Sequence, residues 1–128
     1  MVAEKSLNSA DVYRRDDGII VIHNHTGVKL TKADIEEQLE AVRKLDHGVQ
    51  ALVLVNSDHV VSMERGAREV IARSTIFSHA AIITNTSISR MIFNFVNLIQ
   101  SSSSIKRAFT DEIEAVKWLL AQKKNSER

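Results

Sequence analysis

The sequence predicts an α/β fold in which helices cover a mostly parallel sheet. Two segments, residues 49–55 and 80–84, are almost continuously apolar, as strands buried on both faces are. Stretches with the period of amphipathic helices lie between these segments and after them. Because strands that alternate with helices are joined by right-handed crossovers, we expect the two apolar segments to be parallel strands in the middle of the sheet.

An antiparallel hairpin is predicted before these strands. Residues 11–15 and 18–23 have strand character and flank the aspartate pair at 16–17. Gly18 follows this pair and provides the positive φ that tight hairpin turns require. Residues 1–9 lack the apolar core of a signal peptide, and we expect them to be a flexible N-terminus.

Caps and charge patterns indicate where the first two helices lie. Thr31, with Asp34 three residues on, is a good N-cap for a helix over about residues 32–45, which Gly48 ends. Residues 64–74 carry Glu and Arg at i,i+4 spacing, which is typical of a solvent-exposed helix face. This charge run therefore indicates a surface rather than a site.

Two more helices and a short strand complete the predicted order. The third helix starts at Ser87 and ends at the serines 101–104, and a strand follows over residues 105–109. Thr110 is the expected N-cap of the last helix. Residues 122–128 are polar, and we expect them to form a C-terminal tail.

Helical periodicity also predicts which residues of the last two helices are buried. The inward stripe of the third helix is expected to consist of Ile88, Met91, Ile92, Phe95, Val96 and Ile99. That of the last helix is expected to consist of Ile113, Val116 and Leu120. Phe93 and Trp118 lie off these stripes, so they are either exposed for association or covered by a wide buried face or a neighbouring loop. An exposed Phe93 would form an interaction surface with Arg68 and Asn97, and a two-fold homodimer through the third helix is the simplest outcome.

Composition limits the classes of function. The 128 residues suit one domain, predicted over residues 10–121 in the order β-β-α-β-α-β-α-β-α. Lys and Arg number 17 against 16 Asp and Glu, so no net field favours nucleic acid or an anionic membrane as a partner. No apolar run approaches the ~20 residues that span a bilayer, so no membrane insertion is expected. Cysteine is absent, which excludes disulfides and thiolate catalysis and fits a cytoplasmic location.

Three segments resemble one known group of proteins. They are MERGAREVIA at 63–72, SISRMIFNF at 87–95 and AFTDEIEAVKWLL at 108–120. With the predicted order of elements, they make the chain similar to the STAS-like domains, the anti-sigma-factor antagonist fold related to the lipid-binding CRAL-TRIO proteins. The segments look most like those of an uncharacterised bacterial STAS-like group. The resemblance implies an α/β module that is not an enzyme and regulates by binding a protein partner.

The resemblance also directs attention to Ser62. In the antagonists, a kinase phosphorylates a serine in an Asp-Ser-Ser-Gly-like motif at the start of a helix. The corresponding segment here is SMERG, residues 62–66. In one register Ser62 matches the aspartate of the motif and Met63 takes the acceptor position, whereas a slip of one residue makes Ser62 the acceptor serine.

A candidate anion site is predicted where the two central strands end. In a parallel sheet, ligands favour the crevice beyond the carboxyl ends of the strands, where the following helices begin. The residues whose hydroxyl, N–H or guanidinium groups would bind there are Ser62, Thr86, Ser87, Ser89 and Arg90. Together they would supply about 3–5 kcal/mol, which corresponds to a Kd in the millimolar range. The alternative is that Ser87 only caps the helix and Arg90 lies on its solvated face.

A metal site formed by histidines is a weaker alternative. His25, Asp58 and His59 are expected at one end of the sheet, with His23 on the same strand face as His25. Their spacing matches no known zinc motif, so we expect no metal and histidines that are satisfied within loops. The sequence has neither a nucleophile elbow nor a glycine-rich phosphate loop, so neither catalysis nor a cofactor is expected.

Two functions stay open at this point. The first is a non-enzymatic regulatory or interaction module, which should have a filled interior and an exposed apolar patch. The second is a carrier of a small molecule or lipid with Arg90 on an anionic head group, which needs a pocket of roughly 300 Å³ or more. An enzyme would instead need a polar cluster with perturbed pKa values.

Overall fold

The computed structural model describes residues 4–46, 51–99 and 104–126. These residues contain eight strands and four helices. The strands are β1 (Glu4–Ser6), β2 (Ala10–Arg14), β3 (Ile20–Asn24), β4 (Val28–Leu30), β5 (Ala51–Asn56), β6 (Val60–Met63), β7 (Phe77–Ile83) and β8 (Ile105–Phe109). The helices are α1 (Lys32–Leu45), α2 (Arg65–Arg73), α3 (Ser87–Ile99) and α4 (Glu112–Ser126).

Six strands form one sheet in the order β1-β2-β3-β5-β7-β8. The pairs β3-β5, β5-β7 and β7-β8 are parallel, and the pairs β1-β2 and β2-β3 are antiparallel. In the centre, Val55 lies between Ile22 of β3 and Ile82 of β7. The predicted α/β fold with a mostly parallel sheet is therefore confirmed. The predicted hairpin is β2-β3, and Gly18 in its turn has a φ of 91°.

The sequence pattern does not predict three of the strands. β1 pairs with β2 through residues 4–6, which lie in the segment expected to be flexible. β4 and β6 follow β3 and β5 in the chain and form a separate two-stranded parallel sheet. Strands this short do not show a period of two residues, so the pattern does not distinguish them from loops. α4 likewise continues to residue 126, into the segment expected to be a tail.

Helices cover both faces of the main sheet, so the core has two parts. α1, α2 and α3 pack on one face, and α4 packs on the other. Neighbouring residues of β5 are buried in different parts of the core, because successive side chains of a strand point to opposite faces of the sheet. Val53 is buried under the three helices, and Leu54 is buried under α4.

The start of α1 is fixed by two side-chain contacts. The Asp34 N–H donates to the Thr31 hydroxyl at 3.1 Å, and the Asp34 carboxylate accepts from the Thr31 N–H at 3.0 Å. This is the capping arrangement that the sequence indicates at Thr31. The Glu64 carboxylate accepts a hydrogen bond of 2.6 Å from the Lys32 N–H, and so it joins the starts of α1 and α2.

α3 is rotated relative to its predicted stripe. Its inward face consists of Ser89, Ile92, Phe93 and Val96. Ile88 and Met91, which the stripe places inside, are exposed. The helix carries apolar residues on most sides, so periodicity alone does not select the inward face.

α4 differs from the prediction in its orientation and its cap. Ala115 and Leu119 are buried, whereas Ile113, predicted to be inside, is 66% exposed. The N-cap is Asp111 rather than Thr110, because the Asp111 carboxylate accepts from the Ile113 N–H at 2.9 Å and its carbonyl accepts from the Ala115 N–H at 3.1 Å.

Ile20→Ala should lower the free energy of unfolding by about 2–5 kcal/mol, because Ile20 is buried beside Val53 and its truncation leaves a cavity. Ile113→Ala removes the same atoms from an exposed position and should change that free energy by less than about 0.5 kcal/mol. Chemical denaturation of both variants measures the difference. Equal effects would contradict the position of β3 inside the sheet.

Candidate functional site

The loops after β5 and β7 meet at the side chain of Asp58. Its carboxylate accepts hydrogen bonds from the backbone N–H of Asn85 at 2.7 Å and from the side-chain amide of Asn85 at 3.1 Å. The Ser57 hydroxyl donates to the carbonyl of Ile83 at 2.8 Å and joins the same two segments. The chain itself therefore supplies a negative charge at the carboxyl ends of the central strands.

Thr86 caps α3, which corrects the expectation that Ser87 does so. The Ser89 N–H donates to the Thr86 hydroxyl at 3.0 Å, and the Thr86 N–H donates to the Ser89 hydroxyl at 3.2 Å. Ser89 is buried, whereas Ser87 and Arg90 are exposed at the helix surface. The hydroxyls of Thr86 and Ser89 thus hold the first turn of the helix.

Ser62 is placed on β6, an element that contacts α3. It is an exposed residue of β6, in register with Lys29 of β4. Within the described parts of the chain, no hydrogen bond joins it to Thr86, Ser89 or Arg90. Met63 beside it packs against the core. The anion site stays a prediction, and its hydroxyls on α3 already take part in internal hydrogen bonds.

A cavity of about 80 Å³ lies beneath α3, between the helices and the main sheet. Most of its wall consists of apolar side chains from α1, α3, β3, β5 and β7. The polar residues of the wall are Asn24, Gln38, Ser57, Ser89 and Lys106. The cavity is smaller than the roughly 300 Å³ that a drug-sized or lipid ligand needs.

A buried amide network crosses one side of this cavity. The Gln38 side-chain amide of α1 donates to the Ser9 hydroxyl at 2.9 Å and to the Asn24 side-chain carbonyl at 3.0 Å. Asn24 in turn donates to the carbonyl of Asn56 at 3.0 Å. The sequence pattern does not predict this network. The available signal is that Gln38 falls on the apolar stripe of α1, three residues after Ile35.

The outer face of α3 carries an apolar stripe. Ile88, Met91 and Leu98 are 40%, 64% and 84% exposed, and the half-buried Phe95 lies among them. We call these four residues the outer stripe. The Arg68 guanidinium of α2 covers the Phe95 ring, with its Cζ atom 4.1 Å from the ring centroid.

The residues predicted to form an interaction surface divide between this stripe and the interior. Arg68 lies at the outer stripe, and Asn97 is exposed on α3. Phe93 instead lines the cavity, and it is Phe95 that lies at the outer stripe. Phe93 and Phe95 lie on different sides of α3, and helical periodicity does not predict which of these sides faces inward.

Trp118 is half-covered by its neighbours, in agreement with the second of the two alternatives. Its ring centroid lies 5.6 Å from that of Phe109 and 5.6 Å from that of His79. The Arg107 Cζ atom lies 5.9 Å from the ring centroid of Trp118. Trp118 therefore closes the core between α4 and β8.

The histidines near the ends of β3 and β5 have partners within the fold. His25 bonds to the Asn8 carbonyl at 3.0 Å through Nδ1 and to the Asp11 carboxylate at 3.3 Å through Nε2. The ring centroids of His23 and His59 are 6.1 Å apart. Within the described residues, no group of three or more His, Cys, Asp and Glu side chains is arranged to bind a metal ion.

The strand order, the parallel crossovers and the helices on both faces are those of a STAS-like α/β fold. A solved structure supports this class: an uncharacterised protein of the DUF3478 family with a SpoIIAA-like fold, from Shewanella loihica PV-4. It is similar to this chain with a TM-score of 0.59 and 16% sequence identity, over 93% of this chain and 92% of that chain. The resemblance to STAS-like domains is thereby confirmed for the fold.

The chain belongs to the family DUF7793, a domain of unknown function, whose model matches residues 13–123. Comparison with the curated proteins found no match. In the described segments, every helix is too short or too polar to cross a membrane.

Asp11→Asn should lower the pKa of His25. Hydrogen bonds to the Asn8 carbonyl and the Asp11 carboxylate raise the pKa of His25 above its ordinary value of 6.5, and the second of these is lost in the variant. Titration of the histidine ring signals by NMR measures the change. His79, whose pKa is lowered by burial far from Asp11, serves as the internal control.

Asp11 and His25 also predict how the stability of the fold depends on pH. The raised pKa of His25 stabilises the fold at low pH, and this contribution is lost as the pH rises through the folded-state pKa. The hydrogen bond to His25 lowers the pKa of Asp11, so its contribution is lost as the pH falls through that pKa. The difference in stability between the wild type and Asp11→Asn should therefore be greatest in the window between the two pKa values. An equal difference at neutral and alkaline pH would contradict this coupling.

Proposed function

We propose that the protein is a non-enzymatic interaction module of STAS-like type that binds a second copy of itself through the outer stripe of α3. The observation that carries the proposal is the 64% and 84% exposure of Met91 and Leu98 on a helix whose other face is turned towards the core. Contiguous exposed apolar patches mark association surfaces on globular proteins.

The spacing of the outer stripe suits a second helix. Ile88, Met91, Phe95 and Leu98 follow one another at intervals of three, four and three residues, which is the spacing of a coiled-coil seam. The stripe runs for about 15 Å along the helix axis. Val61, 45% exposed on β6, adds apolar surface on an element that contacts α3. A helix of a partner therefore finds a continuous seam rather than isolated apolar residues.

The charges of α3 favour a second copy over a charged partner. Arg90 is the one charged residue in the sequence of this helix. In an antiparallel pair related by a two-fold axis, Met91 faces Phe95 of the second copy and the two Arg90 side chains lie towards opposite ends of the contact. They do not repel each other there. Two-fold dimers with self-complementary surfaces are also the commonest assemblies.

The hydroxyl groups near the strand ends support binding rather than catalysis. Those of Ser57, Thr86 and Ser89 take part in hydrogen bonds that join loops or start α3. These hydrogen bonds hold the loops and the start of α3 together, a structural role that suits a non-enzymatic module. The regulatory role that the STAS-like resemblance implies, and a cytoplasmic location, belong to the same proposal.

Leu98→Glu should convert the dimer into a monomer, because it places an unpaired carboxylate in an apolar contact. The measurement is the molar mass by light scattering after size exclusion. At about 100 µM protein, above the micromolar Kd expected of a small interface, the wild type should have twice the chain mass of 14.3 kDa. Leu98→Glu should have the mass of one chain.

Ile113→Glu is the matched control, because Ile113 is 66% exposed on α4, on the opposite side of the sheet. It should leave the mass of the dimer unchanged. Circular dichroism should show that both variants keep the wild-type fold. A monomeric wild type at this concentration, or an equal loss of mass in the two variants, would overturn the proposal.

A further inference from the structure

The cavity beneath α3 leaves apolar surface of the central strands uncovered. Val55 of β5 and Ile82 of β7 are paired neighbours in the middle of the main sheet, and both line the cavity. Both side chains are nevertheless only half-buried. Central strands of a sheet that carries helices on both faces are usually enclosed by the layers that pack on them. The packing of the helices over these two residues is therefore incomplete.

The neutral polar groups of the cavity wall bind within the chain. The Gln38 amide of α1 donates to the Asn24 side-chain carbonyl at 3.0 Å. The hydroxyls of Ser57 and Ser89 donate to backbone carbonyls at 2.8 Å and 3.0 Å. These groups hold the strand ends and the first turn of α3, so their hydrogen bonds are already used.

The charged residue of the wall is also engaged. Lys106 has a partner within the chain, and its Nζ atom lies 5.1 Å from the centroid of the Phe77 ring. Within the described residues, the buried side-chain nitrogen or oxygen atom that lacks a hydrogen-bond partner is the Nε of Arg68, which does not belong to the wall. What the cavity offers a ligand is therefore apolar surface.

This surface suits an apolar molecule better than water. A buried water molecule needs about two to four polar partners, whereas apolar cavities stay dry and take up apolar molecules. Fifteen of the twenty described lining residues are apolar, and the polar ones have partners in the chain. A polar ligand would lose its hydrogen bonds to water without replacement.

We propose that this cavity binds a small uncharged apolar molecule, such as a short branched hydrocarbon, against Val55, Ile82 and Ile92. The volume of about 80 Å³ holds roughly three to five non-hydrogen atoms at about 15–30 Å³ each. The proposal is independent of self-association, because the ligand contacts the inner face of α3 and the second copy contacts the outer stripe.

Titration of the full chain with isobutene tests the proposal, with helium at the same pressure as the control. The methyl NMR signals of Val55, Ile82 and Ile92 should shift saturably. Acetamide has the same planar skeleton of non-hydrogen atoms but carries an amide group. It should bind at least about tenfold more weakly, because the cavity has no free partners for that group.

Ala80→Val and Ala81→Val form a matched pair of variants. Ala80 lines the cavity, so its two added methyl groups fill the space and should abolish the binding of isobutene. Ala81 is the next residue of β7 and is buried in the part of the core under α4. Ala81→Val makes the same change on the other face of the sheet and should leave the Kd unchanged.

Ile92→Ala tests the cavity in the opposite direction, and it decides the question if either valine variant does not fold. Ile92 lines the cavity from α3, so its truncation enlarges the space. Benzene, which is too large for the wild-type cavity, should bind to Ile92→Ala at least about tenfold more tightly than to the wild type.

Several results would overturn the proposal. They are no saturable shift of the cavity methyl signals in the wild type, equal binding of acetamide and isobutene, an unchanged Kd in Ale80→Val or its loss in Ala81→Val, or equal binding of benzene to Ile92→Ala and the wild type. The molar mass of the same samples reports self-association separately, so the two proposals succeed or fail independently.

Discussion

The position of β5 between two parallel neighbours is the constraint on which the rest of the structure depends. Its consecutive residues Val53 and Leu54 are buried in the two parts of the core. Because β5 and β7 run in the same direction, their carboxyl ends lie together, and Asp58 can reach Asn85. Parallel strands also oblige the chain to return across the sheet. α2 and the segments around it make that return and pack beside α3.

The frame of the fold can be predicted because its signals are local. The apolar runs of β5 and β7, the glycine in the first hairpin and the cap at Thr31 each appear within a few neighbouring residues. The rotation of α3 has no such signal. Eight of its thirteen residues are apolar, so more than one face qualifies as the inward one. In the fold, the face of α3 that carries Ser89 is turned inward. Phe93 therefore lies inside and Phe95 lies on the outer side, the reverse of the prediction.

The candidate site shows the same limit. Thr86 and Ser89 follow β7 in the chain, but the hydrogen bonds of Asp58 to Asn85 join residues that are 27 positions apart in the sequence. No local pattern indicates such a contact. A single lysine in a five-residue strand usually indicates a solvent-exposed position. Lys106 is buried because α3 packs over that face of β8, which is a property of the assembled fold.

The inward direction of Lys106 has a consequence for β8 as the last strand of the main sheet. An open sheet edge is a template on which strands of other molecules can add, and such addition has no natural end. A charged residue that points inward on an edge strand opposes this, because a covering strand would remove the remaining access of its ammonium group to water. Strand addition at β8, and with it fibre-like growth from that edge, is thereby disfavoured.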